Sequence, residues 1–392
     1  MAPITIDGLV YESPTQGGIA RIFREVLPRL CDLEPDLRLR LLVGQARSPL
    51  PQHVQIEQVL LPTLPRLPLP LPGWGHAQRQ WREWGVQTAV SSTNPTLWHS
   101  SYYTLPPKNG RFPTLQTLYD TIHEQLPHLF ASRGDERLRQ QKQQALQTAD
   151  SIVAISATAK QEACKLYGLD PARVWVMPLA ASPVFRVLPP EIKDFADSAD
   201  SSAFVRARPR PIEKDKRPFL LYVGSRIHYK NFAGLLAAYA AWPGRSEVAL
   251  RVVGRPFSVA EKQQVQVLGV AERVVVETAV SDERLCWLYN HAAAFVYPSL
   301  AEGFGIPLLE ALACGCPVVA SRIPSSLEVA GELATYFEPS EQDSLVGALE
   351  TAVSQGRQPE RVQAGIARAA QFSWEQTAQL LLGVYRALGR GD

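Results

Sequence analysis

Arg226 and Lys230 stand in the stretch GSRIHYKN, directly after the apolar run FLLYVG (219–224). Two cations on flexible stems at a strand–helix turn can clamp a diphosphate, arginine as a planar fork and lysine as a point charge. The plainer alternative is a pair of solvated loop charges. Further on, Tyr297 to Ser321 reads YPSLAEGFGIPLLEALACGCPVVAS. Gly303 and Gly305 lack side chains just ahead of a helix that Pro307 opens and Gly315 closes. Backbone N–H groups can therefore approach a ligand closely, at a helix end that favours negative charge. Two carboxylates, Glu302 in the loop and Glu310 in the helix, lie eight positions apart. A phosphate cradle with two acceptors beside it suits a molecule with phosphate at one place and paired hydroxyls at others, and a nucleotide-sugar is such a molecule. Read alone, a Gly-rich loop merely turns the chain, and Glu310 is a helix charge worth roughly a few tenths of a kcal/mol.

A second set lies in the first half. Gly17 and Gly18 fall between the strand-like ITIDGLVY (4–11) and IARIFREVLPRLCDL (19–33), whose apolar residues have helical spacing. Bare backbone can face a ligand there, or simply turn. PTLQTLYDTIHEQLP (113–127) runs from a β-type stretch into polar residues at a strand's carboxyl end, where open α/β sheets place ligands. Asp120, His123 and Glu124 cluster there. His99, in WHSSYY, is a candidate sugar-facing residue or a core histidine.

The elements that must position these residues alternate strand with helix. Further strands are expected at 38–44, 54–62, 151–156 and 173–180, and in the second half at 219–224, 248–254 and 273–280. Helices are expected at 76–85, 136–149 (a polar run read as a solvated face), 158–168, from about Asn231, and 283–292. Alternation of this kind predicts doubly wound parallel sheets. LLPTLPRLPLPLP (60–72) can be neither regular helix nor central strand. It reads as a surface loop or as one facing an acceptor or a membrane. From Ser182 to Pro218 the apolar pattern lapses into charge, Ser and Pro, which marks a partly flexible connection with room for a small helix around Glu191–Ala196.

At 392 residues the chain exceeds what one core usually serves. The predicted organisation is a first domain over 1–181, a connection over 182–218, a second domain over 219–372 and a terminal helix over 373–392. A net charge of +2 argues against nucleic acid as a partner. It permits a weak peripheral contact with an anionic membrane and does not require one. The five cysteines are scattered, and Cys314 and Cys316 lack the second pair or nearby His of a zinc site. With no signal peptide and no run of about eighteen apolar residues, a cytoplasmic setting is expected, with the membrane's inner face allowed. Oligomeric state is not legible.

The string EGFGIPLLEA, followed by ALACGCPVVAS, resembles the Glu-x7-Glu signature of retaining glycosyltransferase family 4 (glycosyltransferase group 1), enzymes of the GT-B fold. GSRIHYKN resembles that family's diphosphate-binding segment, and GGIARIF its Gly-Gly-Ile-x-Arg segment near the donor phosphate and the acceptor. The resemblance implies two Rossmann-like domains facing across a cleft, the acceptor against the first and the donor in the second, with the C-terminal helix crossing back to the first domain. It assigns the ribose hydroxyls to Glu310, and the donor sugar to Glu302 and the amides of Gly303, Phe304 and Gly305. Ser225 and Ile306 lie within the matching segments and are carried as donor-binding with them, while Val280 marks the loop that meets the nucleobase. Arg226, Lys230 and Glu302 are the implied catalytic set. YDTIHE resembles the family's His-Asp-x-x-His-Glu, but Tyr119 stands where the first His would be. A phenol can donate a hydrogen bond yet cannot act as a base near neutral pH, so either Tyr119 or His123 faces the sugar.

The implied reaction is transfer of a hexose from a nucleotide diphosphate sugar to a glycan, lipid-linked or other hydroxyl acceptor, with retention through front-face return. GDP-mannose is the first donor expected and UDP-glucose the second, by resemblance to bacterial polysaccharide enzymes; no cofactor is expected. The lack of Asp-x-Asp agrees with a metal-independent reaction, since cations and helix-terminal amides can stabilise a leaving diphosphate. A nucleotide-sugar epimerase of the same fold and a non-catalytic nucleotide-sugar-binding subunit remain as alternatives. A dehydrogenase is disfavoured, because no Gly-x-Gly-x-x-Gly follows the first strand.

Overall fold

The computed structural model describes residues 3–12, 17–64, 74–107, 110, 112–189 and 217–389. Most of the proline-rich stretch at 60–72, most of the connection expected at 182–218 and the helix expected at Glu191–Ala196 lie outside the described residues. The chain forms two compact units, residues 1–179 with 373–392, and residues 180–372.

In the first unit ITIDGLVY does not stay a single strand. β1 (Ile4–Asp7) gives way to a 3-10 turn at Leu9–Tyr11, because the Asp7 carboxylate accepts the Leu9 N–H at 3.1 Å and so diverts the backbone from the ladder. There follow α1 (Gly17–Leu33), β2 (Leu39–Val43), β3 (Ile56–Leu60), α2 (Trp74–Ser91), β4 (Leu97–Ser100), β5 (Thr114–Leu118), α3 (Ile122–Gln125), α4 (Arg133–Thr148), β6 (Ser151–Ala154), α5 (Ala157–Tyr167) and β7 (Val174–Val176). The strands are parallel, in the order β3-β2-β1-β4-β5-β6-β7. β1 connects through α1 to β2 on one side, and α2 returns the chain to β4 on the other. Loops leaving β1 and β4 therefore part, opening a crevice at the carboxyl edge.

The second unit repeats the plan: β8 (Phe219–Val223), α6 (Phe232–Ala241), β9 (Ala249–Val253), α7 (Val259–Val267), β10 (Val274–Glu277), α8 (Asp282–His291), β11 (Ala294–Tyr297), α9 (Ile306–Ala313), β12 (Val318–Ser321), α10 (Pro324–Ala330), β13 (Ala334–Phe337), α11 (Gln342–Gln355) and α12 (Pro359–Ala369). The order is β10-β9-β8-β11-β12-β13, all parallel, with the switch between β8 and β11. Its core stacks α6 and α11 on the sheet through Leu235, Leu236, Tyr239, Trp242, Leu345 and Leu349.

The last helix, α13 (Trp374–Gly389), belongs to the first unit and packs on α1. Thr377 donates to the Pro178 carbonyl at 2.7 Å, and Arg29 pairs with Glu375 at 2.9 Å. No helix among the described residues is long and apolar enough to cross a membrane.

Candidate functional site

The β8/β11 switch point of the second unit gathers most of the residues singled out from sequence. β8 leads into the loop carrying Ser225, Arg226 and Lys230, and neighbouring β11 leads into the loop carrying Glu302 to Gly305. The two loops are joined: the Leu300 N–H donates to the Tyr229 carbonyl at 2.7 Å, and Lys230 Nζ donates to Glu302 Oε1 at 2.6 Å. Glu302 is 9% exposed and Lys230 20%. The Lys230 ammonium also lies over the rings of Tyr229 and Tyr297. Tyr297 ends β11 against Glu302; burial first, then that carboxylate, pushes its phenol well above the usual value, so it stays a neutral donor.

Gly305 is the N-cap of α9 with φ +127°, a backbone state that disfavours any side chain, and a Cβ there would stand 3.0 Å from Leu308 Cδ1. The helix opens at Ile306 and Pro307. Glu310 sits in its second turn, only 5% exposed, and accepts from the Tyr289 hydroxyl of α8 at 3.1 Å. Gly303 and Phe304, within the loop itself, are buried. The arrangement offers a cation, a carboxylate and a helix N-terminus on one loop pair, with a second carboxylate under the helix.

Arg226 departs from expectation. Its guanidinium is not a free clamp: Nε donates to Glu261 Oε1 at 2.5 Å, Nη2 donates to the carbonyls of Arg255 and Pro256 at 2.9 and 3.0 Å, and the plane packs on Phe257. Nη1 is buried and has no hydrogen-bond partner among the described residues. Arg226 and Lys230 thus hold different carboxylates, and the sequence hides this because those carboxylates lie 35 and 72 residues away. Tyr222 stands between the pairs; Glu302, Arg226 and Glu261 all act on its phenol, which burial raises foremost. Ser225 is exposed, its carbonyl accepting from Tyr222 at 2.6 Å. Val280 is half-buried three residues past β10 and follows Ala279, whose φ of +53° is unusual for a non-glycine residue.

The first unit corrects two expectations. His99 does not face a ligand: it is fully buried in β4, with Nδ1 2.7 Å from the Tyr385 hydroxyl and Nε2 2.8 Å from Thr117 Oγ1. Burial drives its pKa down to about 3, so it is a neutral core histidine. Tyr119 is also interior, 3% exposed, its hydroxyl donated to the Ser101 carbonyl at 2.6 Å. A phenol committed to a buried carbonyl is not presented to a sugar. His123 is half-buried, its ring tilted against that of Phe130 with centroids 4.2 Å apart, and burial with the nearby Lys142 charge lowers its pKa. Gly17 and Gly18 form the first turn of α1 rather than a separate loop, with Gly18 exposed.

Two charged clusters escaped the sequence reading. Asp7, fully buried at the end of β1, pairs with Arg82 of α2 and accepts from Thr104, while Glu12 holds the same arginine at 3.1 Å. An acid closing the apolar ITI run was the visible signal; its partner was not visible. Lys142 lies on α4, read as a solvated helix, yet its side chain is 2% exposed. It donates to Glu124 at 2.9 Å and to the Asp120 carbonyl at 3.1 Å, bracing the segment that carries His123.

Comparison with known proteins agrees with this architecture. Residues 16–182 match the model described as Glycosyltransferase Family 4, and residues 205–368 the model described as Glycosyl transferases group 1. The O-antigen chain mannosyltransferase B of Escherichia coli is 26% identical over 388 residues, covering 95% of this chain and 96% of that protein. Among solved structures, a sucrose-phosphate synthase from Thermosynechococcus elongatus superposes with a TM-score of 0.74 at 19% identity over the whole of both chains. Anabaena Alr3699/HepE in complex with UDP-glucose gives 0.71 at 17%, over 98% of this chain and 100% of that one. The two matched segments take in most of the chain, and it belongs to the GT-B glycosyltransferases, family 4 in its first half and group 1 in its second.

Proposed function

We propose that this glycosyltransferase moves a hexose, mannose before glucose, from a nucleoside diphosphate sugar to a hydroxyl of a glycan or lipid-linked acceptor, with retention and without a metal. The observation that carries the reading is the loop pair at the β8/β11 switch, where Lys230 meets Glu302 beside the glycine-opened N-terminus of α9. A diphosphate there would take the Lys230 ammonium and the amides of 303–305. Arg226 would join on exchanging Glu261 for phosphate oxygens. Glu310 accepts from the ribose hydroxyls and Glu302 from the sugar.

As the glycosidic bond to the diphosphate breaks, charge builds on the departing oxygen. Fixed donors aimed at it stabilise the transition state without reorganisation, each worth roughly 3 kcal/mol. Retention without a committed protein nucleophile is consistent with front-face return, the diphosphate helping to take the acceptor proton. Mannose ranks first because the relative matched along nearly its whole length is a mannosyltransferase. UDP-glucose ranks second, as the ligand of a neighbour that shares the fold. Membrane contact through the first unit and a cytoplasmic location belong to the same reading. The test is a thermal-shift panel of nucleotide-sugars, since a true donor raises the melting point by mass action. It is followed by anomeric analysis of product formed with and without chelator. A panel in which no nucleotide-sugar shifts the melting point overturns the reading.

A further inference from the structure

In the second unit α8 and α9 are joined by two rungs. Cys286 Sγ lies 3.8 Å from Cys314 Sγ, and the Tyr289 hydroxyl donates to Glu310 Oε2. Position rises along α8 from 286 to 289 while it falls along α9 from 314 to 310. The helices therefore run antiparallel at this contact, and the rungs sit about one helical turn apart, roughly 5 Å. We propose that Cys286 and Cys314 form a reversible thiol–disulfide site whose oxidation weakens donor binding through Glu310.

The two thiols are unlike in a way that suits the chemistry. Cys286 is held down near 7 by the hydrogen bond with Cys314, helped by Arg186 and by Asn290, whose amide Nδ2 lies 3.6 Å from the sulfur. Burial pushes Cys314 up, and burial alone keeps neighbouring Cys316 near 11. The pair thus combines a thiolate-prone attacker with a protonated partner, the division that peroxide oxidation uses. Cys286 is covered by residues 186–188. The Asn290 side chain pins that segment by donating to the Arg186 carbonyl at 2.9 Å and accepting from the Leu188 N–H at 2.9 Å. Arg186 itself is exposed, so a peroxide need pass only one layer of chain.

With hydrogen peroxide as the two-electron oxidant, the Cys286 thiolate attacks one peroxide oxygen and the O–O bond breaks. Hydroxide leaves and takes a proton to become water, and Cys286 becomes a sulfenic acid. The Cys314 sulfur then attacks the Cys286 sulfur, its proton leaves with the departing oxygen as a second water, and the S–S bond forms. Two thiols lose two electrons and two protons, and one peroxide becomes two waters.

A disulfide requires the sulfurs to close from 3.8 Å to about 2.05 Å, a movement of roughly 1.8 Å. The Tyr289–Glu310 rung, one turn away on the same two helices, moves by whatever part of that shift rotation of the two cysteine side chains does not absorb. A displacement near 1 Å at a positioning group can cost about a hundredfold. This coupling rests on the proposed assignment of Glu310 to the donor.

The test exposes the full chain to graded hydrogen peroxide, maps disulfides on non-reduced peptides, and measures donor affinity before and after a dithiol reductant. We expect a 286–314 cross-linked peptide, a donor dissociation constant raised tenfold or more, and full recovery on reduction. Cys286→Ser and Cys314→Ser should bind donor normally and form no cross-link under peroxide. Absence of the 286–314 peptide at doses that oxidise the half-exposed Cys164 overturns the site, and a cross-linked chain with unchanged donor affinity overturns the coupling. Glu310→Ala separates the layers: if that variant binds donor as wild type does, the donor assignment falls while the cross-link mapping stands.

Discussion

Replacing Lys230 with alanine separates the two things its ammonium does. Nζ stands 2.6 Å from a Glu302 carboxylate that is 9% exposed, and Lys230 itself is 20% exposed. In the folded protein the loss strands a largely desolvated carboxylate beside the Tyr297 phenol. A surface pair would cost roughly 0–1 kcal/mol and a fully buried one about 3–5 on removal of one partner, so about 2 kcal/mol fits this intermediate site. For a unit of this size that is a fall in melting temperature of roughly 4–8 °C. In catalysis the loss removes one fixed donor to the leaving diphosphate, about 3 kcal/mol or a hundredfold in kcat/KM. The assay follows nucleoside diphosphate release from the donor that the thermal-shift panel selects, beside a melting curve. Glu302→Gln is the control: it leaves the ammonium in place and should retain stabilisation by nucleoside diphosphate, which Lys230→Ala should lose. A folded Lys230→Ala protein with undiminished transfer would refute the reasoning, because Arg226, the other cation on the loop pair, is held by Glu261 and the carbonyls of Arg255 and Pro256.

His99, neutral in the fold with a pKa near 3 against about 6.5 when unfolded, contributes stability present above pH 6.5 that drains as pH falls toward 3. The slope is about 1.4 kcal/mol per unit, and urea melts of His99→Gln across that window should show a shallower loss. Tyr119→Phe leaves the Ser101 carbonyl without its donor and should destabilise by about 1–3 kcal/mol while transfer stays near wild type; a large fall in kcat in a stable variant would return Tyr119 to the sugar. Lys142→Met leaves the Glu124 carboxylate 10% exposed and unpaired by lysine, at about 3 kcal/mol in chemical denaturation. The double variant Lys142→Met with Glu124→Leu should recover part of that loss, since it buries no lone charge.

The alternation of strand and helix was legible because parallel strands buried on both faces read as apolar runs, and the stretches at 151–156, 219–224 and 248–254 each became a strand within a residue or two. Spacing also put Glu302 on a loop and Glu310 on a helix. It could not reveal what the charges hold. Arg226 looked like a free cation because Glu261 reaches it from the capping box of α7, and Lys142 looked solvated because a polar helix hides one inward-facing ammonium among glutamines. His99 and Tyr119 sit at strand positions where only tertiary packing decides between crevice and interior. Partners at long sequence separation are what a linear pattern lacks.

Because α13 follows the whole second unit in sequence yet covers α1, the first unit cannot complete its interior until synthesis has passed residue 372. An intermediate chain ending anywhere in the second unit carries α1 with its apolar stripe bare and His99 lacking the Tyr385 hydroxyl. Such a nascent chain would be prone to association until α13 has been made and has docked on α1.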